Sequence, residues 1–71
     1  MERTYKKVEV VGSSDTNFGE ATKNAVAKAC QTLRHVDWFE VTEMRGLVEK
    51  DKVMEYQVTV KIGFRLDDQL A

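Results

Sequence analysis

The stretch "VMEYQVTVKIGFRL", residues 53–66, decides the fold. Met54, Tyr56, Val58, Val60, Ile62, Phe64 and Leu66 are apolar, and Glu55, Gln57, Thr59, Lys61, Gly63 and Arg65 stand between them. Alternation sustained over this length marks a β-strand with one face on a core and the other off it. A charged stretch, "EKDK" (49–52), precedes it, and from Val36 to Val48 the period is again two. Residues 36–66 therefore predict a long β-hairpin turning at "EKDK".

Upstream, "YKKVEVVG" (5–12) sets Lys6, Val8 and Val10 against Tyr5, Lys7 and Glu9 and predicts a first strand ending at Gly12. "SSDTN" (13–17) is a run of turn and cap residues. Asn17 and Glu20 have the spacing of a capping box, in which the Asn accepts from a free backbone amide and the Glu reaches back to the cap. A helix is expected from about Phe18. Its apolar positions Phe18, Ala21, Ala25, Ala29 and Leu33 recur at helical spacing, with Val26 and Cys30 widening the stripe. Arg34 and His35 suit the negative end of the helix dipole, which places the helix end there. The small alanine side chains predict close packing on a sheet.

The order is thus strand, helix, strand, strand: an α+β protomer, β-α-β-β, in one domain over residues 1–71. A helical crossover makes the first two strands parallel, so the third, antiparallel to both, fits between them. This gives a three-stranded antiparallel/mixed sheet of order 1-3-2 wrapped on one helix.

Polarity sets the hairpin register, because a slip of one residue would send the wrong side chains to the core. Centring on "EKDK" pairs Phe39 with Ile62, Val41 with Val60 and Leu47 with Met54, and these are expected to face the core. The same register pairs Trp38 with Gly63, Glu40 with Lys61, Thr42 with Thr59 and Met44 with Gln57. The chain's single tryptophan is therefore expected on the face away from the helix, next to a glycine that leaves its surroundings open. Either Trp38 packs into a subunit interface, or it stacks on a planar ligand whose edge Gln57 hydrogen-bonds. One stacked plane contributes only about 1–3 kcal/mol. Two planes from two copies would enclose a ligand, so both readings can hold together.

Size argues in the same direction. At 71 residues, 42% hydrophobic and 32% charged, the chain has ordinary globular composition. A core this small rarely yields more than ~3–5 kcal/mol without reinforcement. One cysteine forbids an intrachain disulfide, and one cysteine with one histidine does not make a structural zinc site. Self-association remains. Eleven basic and 12 acidic residues leave a net charge of -1, against a protein that binds nucleic acid through phosphates. Apolar runs are far shorter than the ~20 residues of a membrane span, and no signal-peptide pattern is seen, so a reduced, cytoplasmic setting is expected.

Taken together, "YKKVEVVGSS" (5–14), "AVAKACQTLRHVDWFEVTEMRG" (25–46) and "YQVTVKIGFRL" (56–66) resemble the dodecins, small flavin-binding proteins of bacteria and archaea. The similarity runs over nearly the whole chain, and the combination of "DWFEV", "RG" and "YQVTVKIGF" is specific. The resemblance implies a hollow homododecamer in which flavins bind as antiparallel stacked pairs at two-fold axes, between tryptophans of neighbouring subunits. Carried over, Trp38 would be the stacking residue, Gln57 the partner of the isoalloxazine's pyrimidine edge and Arg45 a further ligand contact. Strict alternation puts Arg45 on the Phe39 and Val41 side. Either a bulge near Gly46 turns it outward, or it reaches the ligand from a neighbouring subunit. The bacterial branch implies FMN, with riboflavin as the alternative flavin, and coenzyme A as a further ligand. Lys6, Lys28, Thr32, Arg34 and Arg65 are the candidates for phosphate contacts, each otherwise a solvated surface residue.

The expected function is flavin storage and photoprotection, with no catalytic residue and no metal. Cys30 is expected to be a buried, inert thiol on the helix's apolar stripe. "SSDT" is explained by turn and capping chemistry rather than a catalytic pair. The competing readings are a small flavin-dependent reductase or monooxygenase using the same cavity, and a ligand-free structural oligomer. Stacking flavin on flavin would leave such an enzyme no room for substrate.

Overall fold

A computed structural model describes residues 2–66; residues 1 and 67–71 of the expected domain lie outside the described residues. The elements are β1 (Tyr5–Ser14), α1 (Phe18–Thr32), β2 (Val36–Glu49) and β3 (Lys52–Arg65). The sheet order is β1-β3-β2, with β3 antiparallel to both neighbours.

Local chemistry accounts for the boundaries. The Asn17 side chain accepts from the Glu20 amide at 2.7 Å and caps the helix at the expected position. The Glu20 carboxylate lies 3.8 Å from Lys23 Nζ. α1 ends at Thr32, with Leu33 as an extended C-cap, so Arg34 and His35 lie beyond it and not in its last turn. His35 has φ 61°, and this left-handed residue redirects the chain into β2. The hairpin turns at "EKDK" as expected. Lys50 (φ 51°) and Asp51 (φ 63°) are both left-handed, the backbone of a type I′ turn that matches strand twist, achieved without glycine.

The core is a seam between small and branched residues. Ala21, Ala25 and Ala29 on α1 meet Val58, Val60 and Ile62 on β3, with Val8, Val10, Phe18, Val26, Leu33 and Val36 packed around them. At Gly12 the helix comes so close that a Cβ would overlap the carbonyl oxygen of Ala21 and the side chain of Ala25. The alanine stripe therefore has the consequence its composition predicts, and β1 must carry a glycine where the helix crosses it.

The expected core has three corrections. α1 lies over β1 and β3 and barely reaches β2. Phe39 and Val41 pair with Ile62 and Val60 as expected, yet they are 48% and 46% exposed, because nothing in the protomer covers their strand. Leu47 pairs with Glu55 and not with Met54, which is left over in a register shift near the turn. Cys30 is exposed and not buried, since the helix's contact with the sheet is as narrow as its three alanines.

Candidate functional site

The face of the sheet opposite α1 carries two clusters. The first surrounds Trp38. In the register Trp38 opposes Gly63, and Lys7 flanks Gly63 from the other side. The indole lies over Gly63: a Cβ there would overlap its ring atoms Cε2, Cζ2 and Cδ2. Gly63 is thus not open ground beside the tryptophan, as the sequence suggested, but the seat under it. Asp37 is passed over in the pairing, because Val36 opposes Phe64 and Trp38 the adjacent Gly63. This bulge sends Val36 to the helix side and Trp38 away from it. Tyr5 packs on the indole with centroids 5.0 Å apart at 58°. With Gly63 beneath it and Tyr5 beside it, Trp38 keeps 37% of its surface exposed.

Beside this seat an ion pair spans the sheet. Lys7 Nζ on β1 lies 2.7 Å from Glu40 on β2, across the central strand. The Glu40 carboxyl is held below the usual carboxylate range, first by its hydrogen bond to Lys7, then by the charges of Lys7 and Lys61 and a bond from Trp38.

The second cluster sits further along the hairpin. Thr42 is an unpaired residue between Val41, opposite Val60, and Glu43, opposite Thr59; its hydroxyl donates to the Thr59 carbonyl at 3.3 Å. This bulge reverses the alternation of everything after it. Glu43 replaces Thr42 opposite Thr59, Met44 opposes Val58 and not Gln57, and Arg45 opposes Gln57. Arg45 therefore does face outward, through a bulge at Thr42 rather than near Gly46. Its guanidinium donates to Gln57 Oε1 at 3.3 Å and Thr59 Oγ1 at 3.2 Å, and pairs with Glu43. Gln57 Nε2 donates to Glu55 at 2.9 Å.

Trp38 and Gln57 share a face but not a place. Gly63, under Trp38, is six residues along β3 from Gln57, about 20 Å at strand spacing. No single isoalloxazine ring reaches both in one protomer.

The cationic candidates divide around the end of α1. Lys28 and Thr32 line a groove of about 550 Å³ with Val10, Gly12, Ser13 and Asn24. Thr32 also lines a second groove, about 280 Å³, with Arg34, His35 and Arg65. Arg65 lies 3.1 Å from His35 Nδ1 and pairs in register with Tyr5, two positions along β3 from Gly63, the partner of Trp38. Lys6 opposes Phe64 on the helix side of β1 and lines neither groove. The sequence reading missed Tyr5, Lys7 and Glu40 around the indole. Alternation in β1 was the available signal, since Tyr5 and Lys7 fall on the Gly63 side once β1 is paired with β3.

Known proteins share this architecture. A family model described as "Dodecin" matches residues 4–67. The chain belongs to the dodecin family. A protein named dodecin from Thermus thermophilus is 50% identical over 68 residues, 96% of this chain and 99% of that one. The crystal structure of the tt0972 protein from the same organism superposes with a TM-score of 0.88 at 48% identity, over 96% of this chain and 100% of that one. For the dodecin of Streptomyces coelicolor the TM-score is 0.89 at 49% identity, over 94% and 96%. The β-α-β-β protomer with sheet order 1-3-2 is the architecture these dodecin structures share. Among the described residues no cluster of His, Cys, Asp and Glu could hold a metal ion, and no helix is long and apolar enough to cross a membrane.

Proposed function

We propose that this dodecin binds flavin, FMN first and riboflavin as the alternative, and acts as a store and photoprotectant in the reduced setting of the cytoplasm. The flavins would lie as stacked pairs between Trp38 side chains of neighbouring subunits in a homododecamer. The observation that carries the reading is the seating of Trp38: its indole is packed over Gly63 and against Tyr5 and still keeps 37% of its surface exposed, as a stacking plate requires.

Distance supports the participation of two copies. With Trp38 and Gln57 about 20 Å apart on one sheet, a ligand that touches both must take them from different protomers. The uncovered apolar side chains Phe39, Val41, Met44, Val48 and Val53 supply surface for that association. Arg65, two register positions from Gly63 and opposite the Tyr5 that packs on the indole, is the best placed of the phosphate candidates; Thr32 and Arg34 line the same groove as Arg65, and Lys28 and Lys6 would act from another subunit. Nothing in the structure or among the relatives supports coenzyme A as a second ligand, and only flavin is proposed.

The chain's own contribution is binding and electron donation. With flavin bound, Trp38 would hold the ring by stacking and would serve as the electron donor that returns an excited flavin to its ground state, and the enclosure would limit contact with oxygen. No side chain needs to act as acid, base or nucleophile. The test is titration of FMN and riboflavin with the apoprotein while following flavin fluorescence, repeated with Trp38→Ala. Strong quenching by the native chain, lost in a variant that keeps its assembly size, supports the reading. Fluorescence unchanged by either protein rejects it.

A further inference from the structure

Gln57 lies between two partners of fixed polarity. A glutamine amide has a carbonyl oxygen and an NH2 group that nearly match in shape, so in most settings it can flip. Here one end meets the Glu55 carboxylate, which only accepts, and the other the Arg45 guanidinium, which only donates. One orientation satisfies both. Arg45 is itself anchored by Glu43 and by the hydroxyl of Thr59, a residue only 4% exposed. In that orientation Gln57, on a rigid strand, keeps one N–H and one oxygen lone pair for a ligand.

We propose that Glu55 is a positioning residue which, opposite Arg45, locks the Gln57 amide so that it presents a fixed donor–acceptor edge to a planar imide. An imide offers the complementary pattern, an N–H next to a carbonyl, and the pyrimidine ring of a flavin carries one at N3. The inference rests on the flavin reading and deepens it. Stacking on Trp38 accepts any flat aromatic molecule, whereas the locked amide selects those with an intact imide. A site built to hydrogen-bond an N–H rejects the analogue lacking it, because an acceptor covered by the ligand is then left unpaired.

The test uses the full chain, with lumiflavin and N3-methyl-lumiflavin as probes and fluorescence titration as the readout. The native protein is expected to favour lumiflavin by about tenfold or more, the worth of one good hydrogen bond to a polarised group. Glu55→Ala is expected to weaken lumiflavin binding about tenfold and to narrow the preference to about threefold, with assembly size unchanged. Glu55→Gln keeps an acceptor without its charge and should fall between; it decides the matter if Glu55→Ala disturbs assembly. A merely structural Glu55 would lower both affinities together and leave their ratio alone. Native-like discrimination in both variants overturns the role of Glu55 while leaving flavin binding intact. A native protein that binds neither probe overturns the flavin reading, and this inference with it.

Discussion

The two ends of β3 read alike in sequence and differ in structure. Val58, Val60 and Ile62 are fully buried, whereas Met54, on the same strand, and Val48 and Val53 beside the turn are about half exposed or more. Lengths explain the difference. The 15 residues of α1 extend about 22 Å, while the 14 residues of β2 or β3 extend about 46 Å. The helix covers one end of the sheet, and the hairpin projects beyond it. The long axis of 53 Å and the 14.8 Å radius of gyration, against about 11 Å for a compact chain of this size, express the same fact. Alternation marks which side chains share a face, and the covering element determines whether that face is a core or an interface.

Substitutions at the two ends should separate accordingly. The largest effect is expected under the helix: Gly12→Ala forces a Cβ into the Ala21 carbonyl and the Ala25 side chain. A destabilisation of about 3 kcal/mol, the upper range for overpacking, would unfold much of so small a domain, seen as lost helical circular dichroism and a lower melting temperature. Val48→Lys, on the projecting hairpin, should leave the protomer's circular dichroism close to native and shift light scattering toward smaller species. Melting behaviour that makes the two variants alike would break the comparison.

Gly63→Ala tests the seat of the indole. The added methyl displaces Trp38 from the strand, so FMN affinity should drop about tenfold, the lower end of what a stacked plane contributes, with the secondary structure kept. An unchanged titration would mean that the indole need not lie on β3 to bind. A smaller effect is expected for Asn17→Ala, which removes the helix cap and should cost about 1 kcal/mol in a denaturant melt.

The smallest effect concerns Glu40. The folded protein keeps its carboxyl ionised to lower pH than the unfolded chain does, mainly through Lys7. Its stabilising contribution is therefore present above the ordinary carboxylate pKa and is lost as pH falls through the lowered one. Lys7→Met should lower stability at neutral pH by the small amount typical of an exposed pair and leave the acid end unchanged, so that the acid limb of a stability profile is slightly flatter. An acid limb steeper than native would contradict the assigned sign.

The fold was legible because each local signal agreed with the next: the Asn17 cap, the alanine stripe, the "EKDK" turn and the alternation of β3 all point to one topology. The face of Trp38 was equally legible, since Phe39 and Val41 pair with Ile62 and Val60 and leave the neighbouring residue no other side. Arg45 was not. A single unpaired residue, Thr42, reverses every assignment after it on β2, and a β-branched threonine, an ordinary strand residue, carries no mark of a bulge. Nor could periodicity reveal that Phe39 and Val41 are uncovered, or that Cys30 is exposed.

The sequence alone thus determined which elements form, their order, and the side of the sheet that bears the tryptophan, because backbone periodicity and capping act over a few residues. Tertiary structure decided what lies over each face and what meets across it. It set the indole on Gly63, spanned the sheet with Lys7 and Glu40, and brought Arg45, Gln57 and Glu55 into one hydrogen-bonded row. All of those contacts but the one between Gln57 and Glu55 cross between strands, and their register depends on bulges whose cost and gain are settled only when three strands and a helix pack together.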